Sequence, residues 1–318
     1  MKKPILLLAI ILLPVFALAA RNTDMVTFAN FNQKLTEMMS GMTLPIDPPP
    51  GLANYHPLMS AVENNDIAEA AKHLKLINTL DKKGLTPLVL AVMLQHKEMV
   101  DFLLNNGARL DLPSQNDRGI LTPVMAAAKG VGSRDTGKEI LQSLLKADGM
   151  DIRFLEMADN HGWTALHIAA AAGFKDAVDL LLGAGAYINA RDNKGITPLM
   201  AAIDSYNGWL GYDNFFKTVG FLAGYKKDGA PVREQLNINA VDNEGKTALM
   251  HAARAGDCGF MDILIGTWHI VENEYLSPKA IDIHIKDKEG KTAMQHAKND
   301  GTQTCLREIA ERYTGEKL

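Results

Sequence analysis

The chain has little of what several large functional classes require. Two cysteines among 318 residues are too few for a disulfide framework. Aromatic residues make up only 6%, and three of them are tryptophan. No G-x-S-x-G elbow and no H-E-x-x-H helix occurs, which removes the common hydrolase and zinc-protease signatures. There is no basic run, and the formal charge of −4 disfavours nonspecific binding to nucleic acid or anionic lipid. The Asn-x-Ser/Thr acceptor is missing too, which leans toward a bacterial exported protein over a glycosylated eukaryotic one. Apolar residues at 47% and charged residues at 22% are nevertheless ordinary values for a folded domain.

What is present begins at the N-terminus. Lys2 and Lys3 precede the apolar run Ile5 to Ala20, and Ala17-Leu18-Ala19 meets the small-x-small requirement for leader cleavage. The run is interrupted by Pro14 and falls short of the roughly 20 residues a spanning helix needs. Residues 1–19 are therefore expected to be a signal peptide. The mature protein is then exported, with the periplasm first and secretion as the alternative, and has no stable membrane insertion. From Thr23 to Met39, Phe28, Phe31, Leu35, Met38 and Met39 fall at helical spacing, and the stretch from Leu44 to Gly51 is a proline-rich connector. Residues 20–53 read as a capping helix plus this connector, with docking to a membrane or partner as the other reading of the helix.

The stretch from Asp159 to Arg191 reads as one complete structural unit. Asp159 and Gly162 suit a tight turn and Thr164 a helix cap. Ala165 to Ala171 forms one short apolar helix, Gly173 stops it, and Ala177 to Leu182 forms a second, ended by Gly183 and Gly185. So short a pair cannot shield its own apolar faces and needs neighbours of the same make.

Those neighbours are supplied by DKKGLTPL at Asp81, DRGILTPV at Asp117, DNKGITPL at Asp192, DNEGKTAL at Asp242 and DKEGKTAM at Asp287. A worn copy stands at Asn54 to Leu58. With Thr164-Ala165-Leu166-His167-Ile168-Ala169 beside the T-P-L-H-x-A fingerprint and a 33-residue interval from Thr164 to Thr197, the chain resembles the ankyrin-repeat family. The resemblance covers residues 54–318. It implies an all-α solenoid of helix-turn-helix units with β-hairpin or turn fingers, six to seven repeats including degenerate terminal caps. In such a family His167 looks structural, hydrogen-bonding the turns of neighbouring repeats.

Only one interval among Thr86, Thr122, Thr164, Thr197, Thr247 and Thr292 is the bare period; the others carry insertions. These lie near Pro113 to Gln115, at 130–137, at 205–212 with an extension over 225–234, and at 268–279. The stretch 130–137 reads as a flexible inter-helix turn. The last unit replaces the usual leucine run with Cys305-Leu306-Arg307-Glu308-Ile309-Ala310-Glu311-Arg312, giving the charged outer face that a terminal cap requires.

Several chemical motifs have duller readings that outweigh them. Gly132 to Lys138 fits G-x-x-x-x-G-K, but Glu139 replaces the magnesium-binding Ser or Thr, and a helix rather than a strand precedes it. His251, His296, Cys258 and Cys305 fall in matching places of the last two units without a compact zinc spacing. Equivalent places in stacked helices are about 8–10 Å apart, against a limit near 7 Å for a disulfide; the two cysteines are offset by two places within their repeats, so a bridge is disfavoured but stays open. No cofactor and no metal are expected, and no catalytic residue is assigned.

Recognition by surface is what remains. The resemblance implies that a protein partner meets the finger tips and the exposed side of the first helix of each pair. Matching the units places Asn160, His161 and Trp163 on one finger, Lys194 and Ile196 on the next, and Met93 and Leu94 on a first helix. Trp163 stands where other fingers carry Leu85, Ile196 or Lys246, and tryptophan is the residue most enriched in interface hot spots. Packing on the adjacent finger is the competing reading. Tyr206, Trp209 and Tyr212, in the longest insertion, complete the candidates, again against packing on their own helix pair. The expected function is a monomeric, non-enzymatic scaffold or modulator of an exported protein, with an effector of a host protein, and then an enzyme using an inserted loop, as alternatives.

Overall fold

The structure, a computed structural model, describes residues 56–116, 119–130, 132–206, 212–224, 236–266 and 281–315. The expected leader, the capping helix and connector at 20–53, Trp209, and the insertions at 225–234 and 268–279 lie outside the described residues.

Among the described residues, seven helix pairs follow one another. The inner member of each pair is α1 (Pro57–Glu63), α3 (Pro87–Met93), α5 (Pro123–Ala128), α7 (Ala165–Ala171), α9 (Pro198–Ser205), α11 (Ala248–Ala255) and α13 (Ala293–His296). The outer member is α2 (Ile67–Ala71), α4 (Lys97–Asn105), α6 (Arg134–Lys146), α8 (Lys175–Gly183), α10 (Tyr212–Ala223), α12 (Cys258–Gly266) and α14 (Asp300–Thr314). Each inner helix packs on the next, and from α4 onward each outer helix does too. This is the ankyrin-type solenoid.

Local chemistry sets where each inner helix begins. The hydroxyls of Thr86, Thr122, Thr197 and Thr247 each accept from the backbone N–H three residues on, at 3.1–3.3 Å. Proline follows Thr86, Thr122 and Thr197, where its missing N–H costs nothing and its fixed φ suits the first turn. Thr164 and Thr292 use a reciprocal capping box, with His167 and Gln295 reaching back to the cap's N–H. His56 takes the cap's role in the worn first unit, its Nδ1 accepting from the Met59 N–H.

None of these helices is long enough to stand alone, so stability comes from stacking. α7 buries Ala165, Leu166, His167, Ala169 and Ala170, and α8 buries Ala177, Val178, Leu181 and Leu182. One continuous cluster runs from Leu58 to Ala310. Each fully buried Leu or Val in it contributes about 1.5–3 kcal/mol relative to exposure. The last described helix, α14, turns Thr302, Leu306, Ile309 and Ala310 inward and leaves Glu308, Glu311 and Arg312 exposed.

The insertion near Pro113 forms a true hairpin, β1 (Ser114–Asn116) pairing antiparallel with β2 (Gly119–Leu121). The stretch 130–137 corrects the expectation of a flexible turn. Arg134 to Gly137 belong to the first turn of α6, which is extended to 13 residues, and Ser133 caps it. Gln95 holds Ser133 from the preceding repeat, accepting from its N–H at 2.8 Å and donating to its carbonyl at 3.0 Å. An inter-helix turn fixed in this way is not a phosphate cradle.

Cys258 and Cys305 overturn a second expectation. They are joined by a disulfide, with Cα atoms 6.1 Å apart. The repeat-to-repeat spacing that argued against the pair applies to equivalent places. Cys258 opens α12 whereas Cys305 sits within α14, and that offset brings the two backbones inside bridging range.

Candidate partner-binding face

Among the described residues, five fingers are each built around one aspartate. An Asp159 carboxylate oxygen accepts from the N–H groups of His161 and Trp163 at 2.8 and 2.9 Å, while the Asp159 N–H donates to the Trp163 carbonyl at 3.0 Å. Asp81, Asp192, Asp242 and Asp287 repeat the pattern with the residues two and four places on. Asp was suited to this because its short side chain mimics a backbone turn.

Neighbouring fingers then join edge to edge. The Asn193 N–H donates to the His161 carbonyl at 3.0 Å, Asn243 to Lys194 at 2.8 Å and Lys288 to Glu244 at 2.9 Å. Side-chain amides add a second set, Asn193 to the Asn160 carbonyl at 2.8 Å and Asn243 to the Asn193 carbonyl at 3.0 Å. The approach is so close that a Cβ on Gly162 would stand 2.6 Å from the Asn193 nitrogen, and Gly162 also takes φ +84°. Glycine is required there twice over.

Asn160, His161, Trp163, Lys194 and Ile196 are thereby brought together on two joined fingers. Asn160, His161 and Lys194 are exposed at the tips. Ile196 is half-buried against the core. Trp163 is half-buried as well; its Nε1 donates to an Asp192 carboxylate oxygen at 3.1 Å, and its ring stacks on His167 with centroids 6.2 Å apart. His167 is fully buried, and its Nε2 lies 3.0 Å from the Ile196 carbonyl. That carbonyl can only accept, so Nε2 carries the proton and Nδ1 accepts from the Thr164 N–H at 3.3 Å. Burial pushes the imidazole below its ordinary pKa and keeps it neutral.

Met93 and Leu94 close α3, two repeats away, and are 45% and 41% exposed. They stand beside Gln95, whose clasp on Ser133 fixes this end of the helix. Arg134 continues the tie into the next repeat, donating to the Gly173 and Ala172 carbonyls at 2.6 and 2.9 Å while its guanidinium lies 5.2 Å from the Phe174 ring centre. Asp204 and Arg254 hold the same place in their repeats as Met93 does in its own, and they meet across the stack at 2.9 Å. His251, buried behind them, has its Nδ1 2.9 Å from Asp204 and its Nε2 3.1 Å from Asp242. Burial opposes ionisation of Asp204, but the hydrogen bonds and charges of His251 and Arg254 outweigh it and hold the carboxyl below the usual range. The inner-helix row thus passes from an apolar pair in the second repeat to an ion pair between the fifth and sixth.

Tyr206 caps the end of α9 away from its finger, and Tyr212 opens α10. They pack into an aromatic cluster with Phe215, Phe216 and Phe260 at centroid separations of 5.3–6.0 Å, and Tyr212 remains 40% exposed. Burial, with Asp257 beside it, pushes the Tyr212 hydroxyl up to about 12. No local pattern pointed to Asp192 as the partner of Trp163, nor to the ties made by Gln95 and Arg134. The Asp204–Arg254 pair was findable, because both residues fall in one repeat position. His251 and His296 face finger aspartates and not a shared metal site, His251 bonding to Asp242 and His296 to Asp287, the latter at 2.7 Å. Among the described residues no group of three or more His, Cys, Asp or Glu side chains is placed to hold a metal.

Stacked helix pairs with a continuous row of hydrogen-bonded fingers define a helical repeat protein. The chain belongs to the ankyrin-repeat family: the family model described as Ankyrin repeats matches residues 58–154, 114–192 and 135–219. Ankyrin repeats are protein-binding modules. The chain is 32% identical over 169 residues to the Neurogenic locus Notch protein of Drosophila melanogaster, a match covering 50% of this chain and 6% of Notch. Among solved structures it is similar to the ankyrin repeat domain of Bcl-3 at 25% identity and TM-score 0.61, covering 80% of this chain and 99% of that one. An ankyrin repeat domain from Acinetobacter baumannii AYE matches at 28% identity and TM-score 0.53, covering 66% and 96%. Among the described residues no helix is long and apolar enough to cross a membrane.

Proposed function

We propose that this protein is an exported, monomeric, non-enzymatic binding module whose fingers and inner helices grip a protein partner, as a scaffold or modulator in the periplasm. The observation that carries the reading is how the polar groups of the stack are used. The finger aspartates are engaged in their own turns, and His167, His251 and Arg134 in joining one repeat to the next, whereas Met93, Leu94, His161 and Lys194 stand exposed on the resulting face. Trp163 is the central contact, half-buried and pinned by Asp192, which holds a large amphipathic ring in one pose before a partner arrives.

Export is supported by the leader pattern at residues 1–19 and by the Cys258–Cys305 bridge, since disulfides persist in oxidising compartments and rarely in the cytosol. Two measurements test the proposal. The mature N-terminus, read by mass spectrometry of protein recovered from the producing cell, should follow Ala19. Partner capture by the mature protein should fall at least about tenfold when Met93 and Leu94 are both replaced by Glu, the scale expected when an apolar anchor is lost from an interface. An uncut leader sinks export, and unchanged capture sinks the face.

A further inference from the structure

The last repeat differs from the others in what holds it. α13 is a single turn of four residues, where the other inner helices have six to eight, and only Ala293 on it is buried. Among the described residues this unit packs on one neighbouring repeat, where a central repeat packs on two. Its docking rests on the inward face of α14, with Thr302, Leu306, Ile309 and Ala310, and on a few links such as the Lys288 N–H to the Glu244 carbonyl at 2.9 Å and the Lys298 N–H to the Ala253 carbonyl at 3.2 Å. Among the described residues, one covalent bond beyond the chain itself ties this unit to its neighbour. Cys258, exposed at the start of α12, is bonded to Cys305 in α14.

From this juxtaposition we propose that the Cys258–Cys305 disulfide is a redox latch that keeps the seventh repeat closed over the apolar side of the sixth. With the bond intact, the body of α14 cannot leave α12, because Cys305 is tethered at a Cα separation of 6.1 Å. A dithiol reductant opens the latch. One thiolate attacks a latch sulfur, the S–S bond breaks, the second thiol displaces the mixed disulfide, and two thiols form while the reductant becomes a disulfide. Two electrons and two protons are transferred. The exposure of Cys258 gives the attacking thiolate access. The seventh repeat then opens locally, uncovering Leu306, Ile309 and Ala310 and the α12 residues beneath them, while repeats at the centre, held from both sides, stay closed. The inference stands whichever partner the fingers take.

The test is amide hydrogen exchange of the oxidised mature protein with and without dithiothreitol. Peptides within 287–315 should exchange at least about tenfold faster after reduction, with peptides within 165–205 unchanged and protection restored by reoxidation. The double variant Cys258→Ser with Cys305→Ser should show the fast rate with or without reductant. If that variant does not fold, reversible reduction of the wild-type chain gives the same reading. Equal exchange in 287–315 before and after reduction overturns the proposal. So do alkylation of both thiols by iodoacetamide in the exported protein and a loss of protection spread evenly over all repeats.

Discussion

The Trp163 Nε1 donates to the Asp192 carboxylate at 3.1 Å, and this bond joins the fourth finger to the fifth through a side chain that sequence reading selects as a partner anchor. Structural and recognition roles can be separated at this position. Trp163→Phe keeps an aromatic ring beside His167 but deletes the donor and part of the indole's packing, so it should cost about 1–2 kcal/mol of stability. Trp163→Ala should cost about 2–3 kcal/mol, because a half-buried ring is lost as well. Chemical denaturation measures both, and partner affinity should fall further for Ala than for Phe.

Gly162 and Gly290 both adopt positive φ, +84° and +78°, but a Cβ on Gly162 meets the next finger whereas one on Gly290 meets nothing within 4 Å. Gly290→Ala should therefore show the left-handed penalty alone, about 1–2 kcal/mol. Gly162→Ala should cost more, and the excess isolates the close approach of two fingers. Equal losses in denaturation midpoint at constant m would show that the fingers separate easily.

Burial places the His167 pKa below the unfolded value of 6.5. On acidification the unfolded chain then binds the proton first, so stability is intact above about pH 6.5 and is lost as pH falls toward the folded value, by at most about 1.4 kcal/mol per unit. Met125, Met200 and Met250 occupy the corresponding place in other repeats. His167→Met should fold and should flatten this part of the stability profile between pH 7 and 5. An unaltered slope in thermal melts would assign the acid sensitivity elsewhere.

Arg134 caps carbonyls of the fourth repeat from the third and lies over Phe174. Arg134→Lys keeps the charge but loses the planar fork, and should cost about 1–2 kcal/mol. Hydrogen exchange should localise the loss to the end of α7 and the start of α8. A loss confined to α6 would mean that the tie between repeats is unimportant.

The repeat itself was legible because its signals are local. The turn aspartate, the glycine, the capping threonine and the proline after it each act within a few residues, and α7 falls at Ala165–Ala171 as read from composition. Contacts between repeats were not legible, since they depend on how far one unit is offset from the next. The two-place offset of Cys258 and Cys305 could be read, but not that it brings their Cα atoms to 6.1 Å, inside bonding range. The stretch 130–137 looked mobile from its glycines, yet Gln95 and Arg134, invisible to any local pattern, fasten it. Of the candidate face, the two fingers holding Asn160 to Ile196 came together as read, because their joining follows from the repeat. Tyr206 and Tyr212 are instead drawn into a cluster around Phe260, a residue from the next repeat.

The central claim, that partner binding uses the fingers and inner helices, is tested most directly by site-specific photocrosslinking. A photoreactive residue would replace His161, Met93 or, on the outer helix α8, the exposed Asp179, in the mature protein within its own compartment. The account predicts one protein crosslinked from positions 161 and 93 and none from 179. Crosslinks from 179 alone, or from none of the three, would contradict it.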